Sequence, residues 1–206
     1  MGAITVAPSD PNVVYVGMGE TDIRGNISPG DGIYKTTDGG QSWSHIGLRD
    51  ATMIADIVVD PTDHNIVLAS AMGNVFTANS ERGIFKSTNG GSTWRKVLFR
   101  NDSTGGMTLK MDPNNSRIVY ASLWQAYRNA WSLSSGGSGS GLFKSTDGGE
   151  TWKNMGLLNS ERINKIIVDP TDSKTIYVCV PGKLWSDSWD RGVYRSSDAE
   201  IGRAHV

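Results

Sequence analysis

The stretch Ser145-Thr146-Asp147-Gly148-Gly149-Glu150-Thr151-Trp152 occurs three times in this chain of 206 residues, with small changes, and begins a fourth time. The other copies lie at residues 36–43 and 87–94, and Ser196-Ser197-Asp198 starts the fourth. The anchor positions are separated by 51, 58 and 51 residues, and they are Asp38, Asn89, Asp147 and Asp198. A period of this length means that one supersecondary unit is copied along the chain, so the repeat decides the architecture.

The repeated phrase is predicted to form a β-hairpin. A strand-like run such as Gly83-Ile84-Phe85-Lys86 precedes each copy and places apolar residues beside a long basic one, which is typical of a strand with one buried face. The Asp-Gly-Gly centre supplies a tight turn, because glycine adopts positive φ without steric cost and Asp accepts hydrogen bonds from backbone amides beyond it. The Trp then opens the second strand and is expected to pack back over the turn.

We assign a structural role to the Asp and Trp positions of these turns. Asn89 in the middle copy supports this assignment, because an amide can cap a turn but cannot act as an acid or base. The structural set comprises Asp38, Trp43, Asn89, Trp94, Asp147, Trp152 and Asp198.

A second motif is copied in step with the first. Apolar runs end at Asp60-Pro61, Asp112-Pro113 and Asp169-Pro170, and a turn leads from each into another apolar run. Ala7-Pro8 marks the first copy. Proline ends these strands because it cannot donate to the sheet and restricts the residue before it. Each copy therefore holds two antiparallel hairpins, or four strands in about 50 residues.

These repeats predict an all-β fold, a β-propeller of four-stranded blades around a central channel. The blades span about residues 1–50, 51–102, 103–160 and 161–198, and the last is incomplete because it lacks a fourth strand. Residues 199–206 depart from the repeat, and we interpret them as a non-repeat tail that is vector-derived or left by a truncation. The chain is then a fragment of a larger ring or half of a dimeric ring.

The Ser/Thr-x-Asp-Gly-Gly-x-Ser/Thr-Trp phrase resembles the Asp-box of the BNR-repeat propellers, which include sialidases, xyloglucanase-type glycoside hydrolases and sortilin-like propellers. The resemblance covers three blades in full and most of the fourth, and the pairing with Asp-Pro turns looks most like the sortilin-like or xyloglucanase-like members. It implies that the Asp-boxes lie at the blade periphery, away from the ligand face, and that the parent protein is secreted or periplasmic. The catalytic signatures of xyloglucanases and sialidases are not recognisable in this sequence.

Composition excludes several classes of function. The formal net charge of −1 at pH 7 provides no electrostatic footprint for nucleic acid. No run of about 18 apolar residues is available to span a membrane, and we expect no signal peptide because Met1-Gly2 leads directly into the first strand. Cys179 stands alone in an apolar run, where we expect a small buried side chain.

The two end blades are expected to expose apolar faces and unpaired strand edges, which are templates for association. We therefore predict that the chain binds itself, most simply as a two-fold dimer that places eight blade units in one ring.

Four long loops on the face opposite the Asp-boxes are the predicted ligand-binding region. They span residues 19–31, 71–82, 123–141 and 181–191, and the Gly/Ser stretch at 134–140 is interpreted as a flexible loop. Aromatic platforms among carboxylates and arginines suit sugar rings, peptide side chains or another small molecule. The predicted ligand-binding residues are Arg24, Arg82, Trp124, Tyr127, Arg128, Trp131, Trp185, Asp187, Trp189 and Asp190. The alternative is that Trp124 and Trp131 cover the core and that Arg82 and Arg191 pair with neighbouring carboxylates.

Three carboxylates of the first loop, Glu20, Asp22 and Asp31, are the candidate catalytic residues, since glycosidases need two carboxyl groups across the scissile bond. Asp187 and Asp190 are further sources of such a pair. The oxygen atoms of the first three could also hold a divalent metal such as Ca²⁺, whereas no histidine arrangement indicates a zinc site.

Three functions remain open. The favoured one is a binding module for carbohydrate or protein. The alternative is a hydrolase, acting on glycosides or, with a metal, on an activated ester or phosphoester in a cavity formed by an assembled ring. The third is a structural fragment without activity.

Overall fold

The computed structural model describes residues 1–201, and within this range the chain forms sixteen β-strands and no helix. No helix in this part of the chain has the length and apolar character that crossing a membrane requires. The strands form four antiparallel sheets that follow one another along the chain, which confirms the predicted propeller of repeated blades.

The sheets have the strand order expected of blades. Blade one contains β1 (Ala3–Ala7), β2 (Asp10–Gly17), β3 (Ile33–Thr36) and β4 (Ser44–His45). Blade two contains β5 (Ile54–Val59), β6 (Val67–Ala71), β7 (Gly83–Ser87) and β8 (Arg95–Leu98). Blade three contains β9 (Thr104–Asp112), β10 (Asn115–Arg128), β11 (Leu133–Ser135), β12 (Gly141–Ser145) and β13 (Lys153–Asn154). Blade four contains only β14 (Lys165–Val168), β15 (Ile176–Val180) and β16 (Gly192–Ser196) among the described residues.

Each pair of neighbouring blades shares one apolar cluster, so every blade depends on the next for its core. The clusters are centred on Tyr15 and Phe85 at the first interface, Leu68 and Phe143 at the second, and Tyr120 and Val178 at the third. Burying one such side chain stabilises the fold by about 1.5–3 kcal/mol. Strand β6 is buried along its whole length because blade two has neighbours on both sides, whereas β15 alternates buried and exposed residues.

This alternation overturns the expectation for Cys179. The side chain is exposed, because its strand buries only the face toward blade three and Cys179 points the other way. Its neighbours Val178 and Val180 carry the burial instead. The apolar run predicted a buried strand correctly in blade two, but it could not show that one face of blade four is exposed within residues 1–201.

The Asp-box turns and the Asp-Pro turns lie on one face of the propeller, as the strand directions predict. In each blade an amide of the Asp-box donates to a carbonyl oxygen in the turn between the first two strands or at the start of the second strand. The donor–acceptor pairs are Gly39 N to Asn12 O at 3.0 Å, Gly90 N to Asn65 O at 2.9 Å, Gly148 N to Arg117 O at 2.7 Å and Ala199 N to Lys174 O at 2.9 Å. The long loops therefore occupy the opposite face.

The Asp-box carboxylates accept hydrogen bonds from residues of their own turns. Asp147 accepts hydrogen bonds from Thr151 Oγ1 at 2.5 Å, from Thr151 N at 2.9 Å and from Ser145 Oγ at 2.7 Å. These bonds hold the pKa of Asp147 well below its usual range, and bonds from Ser42 and Thr36 do the same for the pKa of Asp38. Asn89 reproduces the pattern with its amide, which donates to Thr93 Oγ1 at 2.9 Å.

The box tryptophans divide into two kinds. Trp43 and Trp152 close their own turns, with Nε1 donating to the carbonyl oxygens of Gly40 and Gly149 at 3.2 Å in both cases. Trp94 instead donates to Ile46 O of blade one at 2.8 Å. The middle tryptophan therefore joins two blades, which the single-hairpin prediction did not include.

Two boundaries differ from the predicted ones. The Gly/Ser stretch is ordered at its start, where strand β11 pairs with β10. Ser135 lies opposite Ala126, Ser134 opposite Tyr127 and Leu133 opposite Arg128. The fourth turn extends beyond Asp198, because Glu200 N donates to Ser196 Oγ at 3.1 Å and Ile201 is buried in the third interface. The remainder of the predicted tail, residues 202–206, lies outside the described residues.

Candidate functional site on the long-loop face

Loops of blades one to three converge over the middle of the long-loop face. Their apolar side chains and those beside them form a buried cluster: Ile27, Met53, Met72, Val75, Trp124 and Ala126. Arg128 ties two loops together, with Nε donating to Arg24 O at 3.4 Å and Nη1 to Ser132 O at 2.7 Å. Arg128 therefore braces this region, and Arg24 is held through its backbone.

Arg82, a predicted ligand-binding residue, is completely buried. Its guanidinium donates to Ser103 O at 2.9 Å, Ala126 O at 3.1 Å and Asn74 O at 2.7 Å, and so joins loop two to blade three. Desolvation lowers its pKa to about 10, which leaves it charged at neutral pH. Because this side chain cannot reach a ligand, we do not retain it in the proposed site.

Trp124 is also internal. Its ring is 3% exposed, Nε1 donates to Ser135 Oγ at 3.1 Å, and the Arg162 guanidinium carbon lies 5.7 Å from the ring centroid. The structure thus matches the alternative in which this tryptophan covers the core.

The three candidate catalytic carboxylates of blade one do not converge. Glu20 forms an ion pair with Arg24 and accepts a hydrogen bond from Ser28 N at 3.0 Å. The hydrogen bond from Ser28, together with the nearby Arg24, lowers the pKa of Glu20. Asp31 accepts from Tyr34 Oη at 2.7 Å and faces Arg49 at 3.5 Å.

Asp22 is exposed. Within residues 1–201 no group of three or more His, Cys, Asp or Glu side chains could hold a metal ion, so these oxygens do not form the Ca²⁺ site that they suggested.

A cleft between blades three and four gathers other carboxylates instead. It has a volume of about 750 Å³ and is lined by Asn159, Glu161, Lys183, Asp187, Trp189 and Asp190, among others. We call it the acidic cleft. It brings together three of the sequence-predicted ligand residues, Asp187, Trp189 and Asp190, and adds Glu161 and Lys183.

Hydrogen bonds to the backbone brace the loop that carries most of this cleft. Arg191 Nε donates to Pro181 O at 2.8 Å, and Nη2 donates to Lys183 O at 3.1 Å. Tyr194 Oη donates to Asp190 O at 2.8 Å. The loop is therefore held at both ends while the carboxylates of Asp187 and Asp190 line the cleft.

Glu161 connects the two walls. Its Oε2 accepts a hydrogen bond from Leu184 N at 3.2 Å, and its side chain packs so closely on Gly136 that a Cβ there would lie 2.6 Å from Glu161 Cγ. The backbone of Glu161 has φ of 57°, a left-handed conformation that costs a non-glycine residue free energy and is found preferentially at functional sites.

Exposed aromatic rings are frequent in the long loops of blades three and four, and one of them, Trp189, lines the acidic cleft. Trp189 is 98% exposed, Trp131 is 85% exposed and Trp185 is 74% exposed, although Trp185 Nε1 donates to Leu133 O at 2.7 Å. Tyr127 is exposed as well. Large apolar rings rarely remain this open without a binding role, so this part of the face is the candidate ligand surface.

Sequence reasoning missed Glu161 and Lys183. Glu161 lies at a blade boundary rather than in a long loop, and its only local signal is the polar run Asn159-Ser160-Glu161-Arg162 before blade four. Its proximity to Asp187 and Asp190 depends on how the loop at residues 181–191 folds onto the start of blade four, which the sequence pattern does not encode.

A second cavity, of about 510 Å³, lies along the innermost strands of all four blades, lined by residues such as Thr5, Ile57, Lys110 and Lys165. Asp56 borders it, and desolvation raises the pKa of this carboxyl group. Both Asp56 oxygens are engaged by backbone amides, those of Ile57 and Leu109. Asp56 therefore stabilises the wall of this cavity, and both of its oxygens are occupied by hydrogen bonds to the backbone.

Comparison with known proteins agrees with the repeat geometry. The family model described as BNR/Asp-box repeat matches residues 143–154, which form the hairpin of the third Asp-box. The chain is a β-propeller that carries a match to the BNR/Asp-box repeat. Two solved structures resemble this propeller closely in fold, an ancestral GH74 enzyme with a TM-score of 0.68 and a GH74 enzyme of Niastella koreensis with a TM-score of 0.66.

Both structures have 19% sequence identity to this chain. The match to the ancestral enzyme covers 96% of this chain and 23% of the enzyme. The match to the Niastella koreensis enzyme covers 97% of this chain and 28% of the enzyme. Among curated proteins, a xyloglucanase of Acetivibrio thermocellus is 27% identical over 175 residues, covering 73% of the propeller chain and 19% of the relative. A xyloglucanase of Hypocrea jecorina is 29% identical over 190 residues, covering 85% and 20%. The propeller chain thus spans about a fifth of the length of these curated relatives.

Proposed function

We propose that this propeller binds a carbohydrate chain in the acidic cleft and that it acts as part of a glycoside hydrolase. The observation that carries the proposal is the placement of Glu161, Asp187, Asp190 and the fully exposed Trp189 around one cleft of about 750 Å³. Sugars need this combination, because a pyranose ring stacks its C–H face on an aromatic ring and presents hydroxyl groups to polar side chains.

The chemistry assigned to the cleft follows from its carboxylates. Hydrolysis of a glycosidic bond requires one carboxyl group to protonate the leaving oxygen and a second to act as nucleophile or to activate water. We assign these two roles to Asp187 and Asp190. Glu161 is the positioning residue, since it holds the Leu184 amide and thereby fixes the loop that carries the two aspartates.

The relatives supply the substrate class. Curated proteins that resemble the propeller chain are named xyloglucanases, and the solved structures with the same fold are named GH74 enzymes. The chain covers only about a fifth of those relatives, and on the strength of their names we propose xyloglucan as its ligand and xyloglucan cleavage as its activity.

The test uses the full chain with soluble xyloglucan and measures both binding, by affinity electrophoresis, and release of reducing ends. The expected result is binding with hydrolysis, and Asp187→Asn and Asp190→Asn should each lower the rate about 100-fold or more while binding persists. Asp22→Asn is the matched control, because it removes an exposed carboxylate outside the acidic cleft.

Each other outcome has a definite meaning. Binding without hydrolysis overturns the catalytic proposal and leaves a carbohydrate-binding module. Loss of hydrolysis in Asp22→Asn alone places the catalytic site on blade one, as the sequence suggested. Absence of both binding and hydrolysis overturns the proposal as a whole.

A further inference from the structure

The four blades carry equivalent pairs of residues on the face that each turns toward the next blade. Strand pairing places a residue of the second strand opposite a basic residue of the third strand, immediately before the Asp-box. The pairs are Tyr15 with Lys35, Leu68 with Lys86, Tyr120 with Lys144, and Tyr177 with Arg195.

In the first three blades the basic residue reaches into the Asp-box of the following blade. Lys35 Nζ donates to Gly90 O at 3.2 Å, and Lys144 Nζ donates to Ala199 O at 3.1 Å, which is the equivalent position. Lys86 Nζ binds the carboxylate of Glu150 at 2.7 Å, two residues further along its box. The lysine at this position is thus a blade-to-blade connector.

The aromatic residue of the pair supports the same junction. Tyr15 Oη donates to His64 O of the next blade at 2.8 Å, and Lys35 Nζ lies 5.1 Å from the Tyr15 ring centroid. Lys144 Nζ lies 5.6 Å from the Tyr120 ring centroid. The first and third junctions therefore combine a cation held near a ring with a hydrogen bond to the neighbouring turn, whereas the second has Leu68 in place of the ring and an ion pair between Lys86 and Glu150.

A third equivalent position lies two residues after the aromatic one. In blade three it is Ser122, whose Oγ donates to Ile163 O of blade four at 2.9 Å. In blade one it is Gly17, where a Cβ would meet Ile54 Cγ2 of blade two at 2.4 Å. In blade four this position is Cys179, since it pairs with Val193 as Ser122 pairs with Leu142.

Blade four presents all of these positions without a neighbour in the described structure. Tyr177, Cys179 and Val193 are exposed, and Arg195 is exposed beside them. Blade four therefore repeats the face by which each of the first three blades contacts the next one. Tyr177 and Arg195 occupy the same register positions as the connecting residues there, but no residue of the described structure packs against this face.

Blade one presents the complementary face. Ile4 is 58% exposed, whereas its counterpart Ile57 in blade two is 2% exposed beneath blade one. A cavity of about 330 Å³ lined by Val16, Met18, Tyr34 and Trp43 opens on this side. It is almost wholly apolar, so a side chain from a neighbouring blade would be its natural occupant.

The first Asp-box also lacks its connector. At Gly90 a Cβ would meet Lys35 Nζ at 2.7 Å, whereas at the equivalent Gly39 it would meet only Asn12 Oδ1 at 3.5 Å. Blade one is therefore built to receive a preceding blade.

From these two faces we infer that two copies of the chain bind head to tail, with blade four of each copy docked on blade one of the other. Arg195 then donates to the Gly39 carbonyl oxygen of the second copy, Tyr177 packs on its first Asp-box, and Cys179 becomes buried. Two such junctions related by a two-fold axis close a ring of eight blade units. This inference concerns the partner of the fold and stands independently of the acidic cleft.

The test measures mass and thiol exposure on the full chain. Light scattering after gel filtration should give about twice the chain mass of 22.2 kDa at micromolar concentration, falling toward a single chain on dilution. Cys179 is the single cysteine, so its reaction with a thiol reagent should slow at least about fivefold as protein concentration rises, because the thiol is covered in the dimer.

Arg195→Glu should shift the mass to that of a single chain and restore fast thiol reaction. Arg117→Glu makes the same change of charge at an exposed site away from both end faces and should leave the dimer intact. Circular dichroism checks that both variants remain folded. A wild-type monomer at every concentration, as expected if these faces instead await further blades of one longer chain, overturns the inference, and so does a dimer that Arg195→Glu leaves unchanged.

Discussion

The carboxylate of Asp56 on blade two accepts a hydrogen bond from the backbone amide of Leu109 on blade three, with 2.9 Å between Oδ2 and N. Oδ1 of the same carboxylate accepts from Ile57 N at 2.9 Å, so both oxygens serve backbone donors beside the channel. An aspartate suits this position because each of its two oxygens can accept a hydrogen bond, whereas an amide has only one acceptor oxygen.

Asp56→Asn is therefore expected to lower the free energy of unfolding by about 1–3 kcal/mol, since the amide NH₂ would face one of the two backbone donors. Urea unfolding at pH 7 measures the loss. Thr108→Val is a control that removes only the weaker contact to Asp56, at 3.2 Å, and should cost less. An unchanged midpoint in Asp56→Asn would contradict the assigned role.

The pH dependence of this site has a definite sign. Desolvation raises the pKa of Asp56 in the folded chain, so its protonated form contributes stability that is fully present below the unfolded pKa of about 3.9 and is lost as the pH rises through the folded pKa. The difference in unfolding free energy between wild type and Asp56→Asn should consequently grow as the pH falls from 7 toward 4. A constant difference over that range would show that Asp56 is ionised equally easily in both states.

The Asp-boxes titrate in the opposite sense. Hydrogen bonds from Thr151 and Ser145 lower the pKa of Asp147, so its contribution to stability is present above the unfolded pKa of about 3.9 and is lost as the pH falls through the folded pKa. Asp147→Asn should keep the turn at pH 7, with the melting temperature changed by less than about 4 °C, because Asn89 already forms the same turn.

Below about pH 4 the same variant should lose less stability than the wild type, because it has no carboxylate to protonate at this box. Thermal unfolding between pH 2.5 and 7 distinguishes the two. Asn89→Asp is the reciprocal variant and should add acid sensitivity. If Asp147→Asn unfolds at neutral pH, the charge itself stabilises the turn and the equivalence with Asn89 fails.

The sequence contains enough to predict the hairpins and the blades, because Asp-Gly-Gly turns and Asp-Pro strand ends act locally. It predicts the faces poorly, because a face depends on which blade lies beside it. Cys179 and Arg82 show this in opposite directions. An apolar strand leaves the cysteine exposed on the outer face of blade four as the described residues show it, and a polar loop buries the arginine where blade three covers it.

Only some of the residues that line the acidic cleft can be predicted from the sequence, because the others are brought there by packing. Asp187, Trp189 and Asp190 are in an irregular loop and stand out against the repeat, whereas Glu161 lines the cleft through tertiary contacts, with Leu184 N and with Gly136. Glu20 and Asp31 satisfied the same sequence criteria but fold onto Arg24 and Tyr34. Sequence irregularity locates the face, and packing decides which carboxylates on it stay available.

Arg82→Ala should lower the free energy of unfolding by about 3 kcal/mol or more, because several buried carbonyl oxygens lose a charged donor at once. Arg191→Ala is the matched control. It also removes hydrogen bonds to backbone carbonyls, but at an exposed site where water replaces them, and should cost less than about 1 kcal/mol. Equal losses in the two variants would show that burial of Arg82 is not what stabilises loop two.

The exposed tryptophans provide a test of where a carbohydrate binds. Trp189→Ala should weaken xyloglucan binding about tenfold, which corresponds to about 1.4 kcal/mol, because it removes the stacking platform of the acidic cleft. Stability should not change, since the ring is 98% exposed. Trp131→Ala removes a similarly exposed ring that does not line the cleft and should leave affinity within about twofold. If Trp131→Ala weakens binding and Trp189→Ala does not, the ligand lies over the β10–β11 hairpin, and the acidic cleft is not the site.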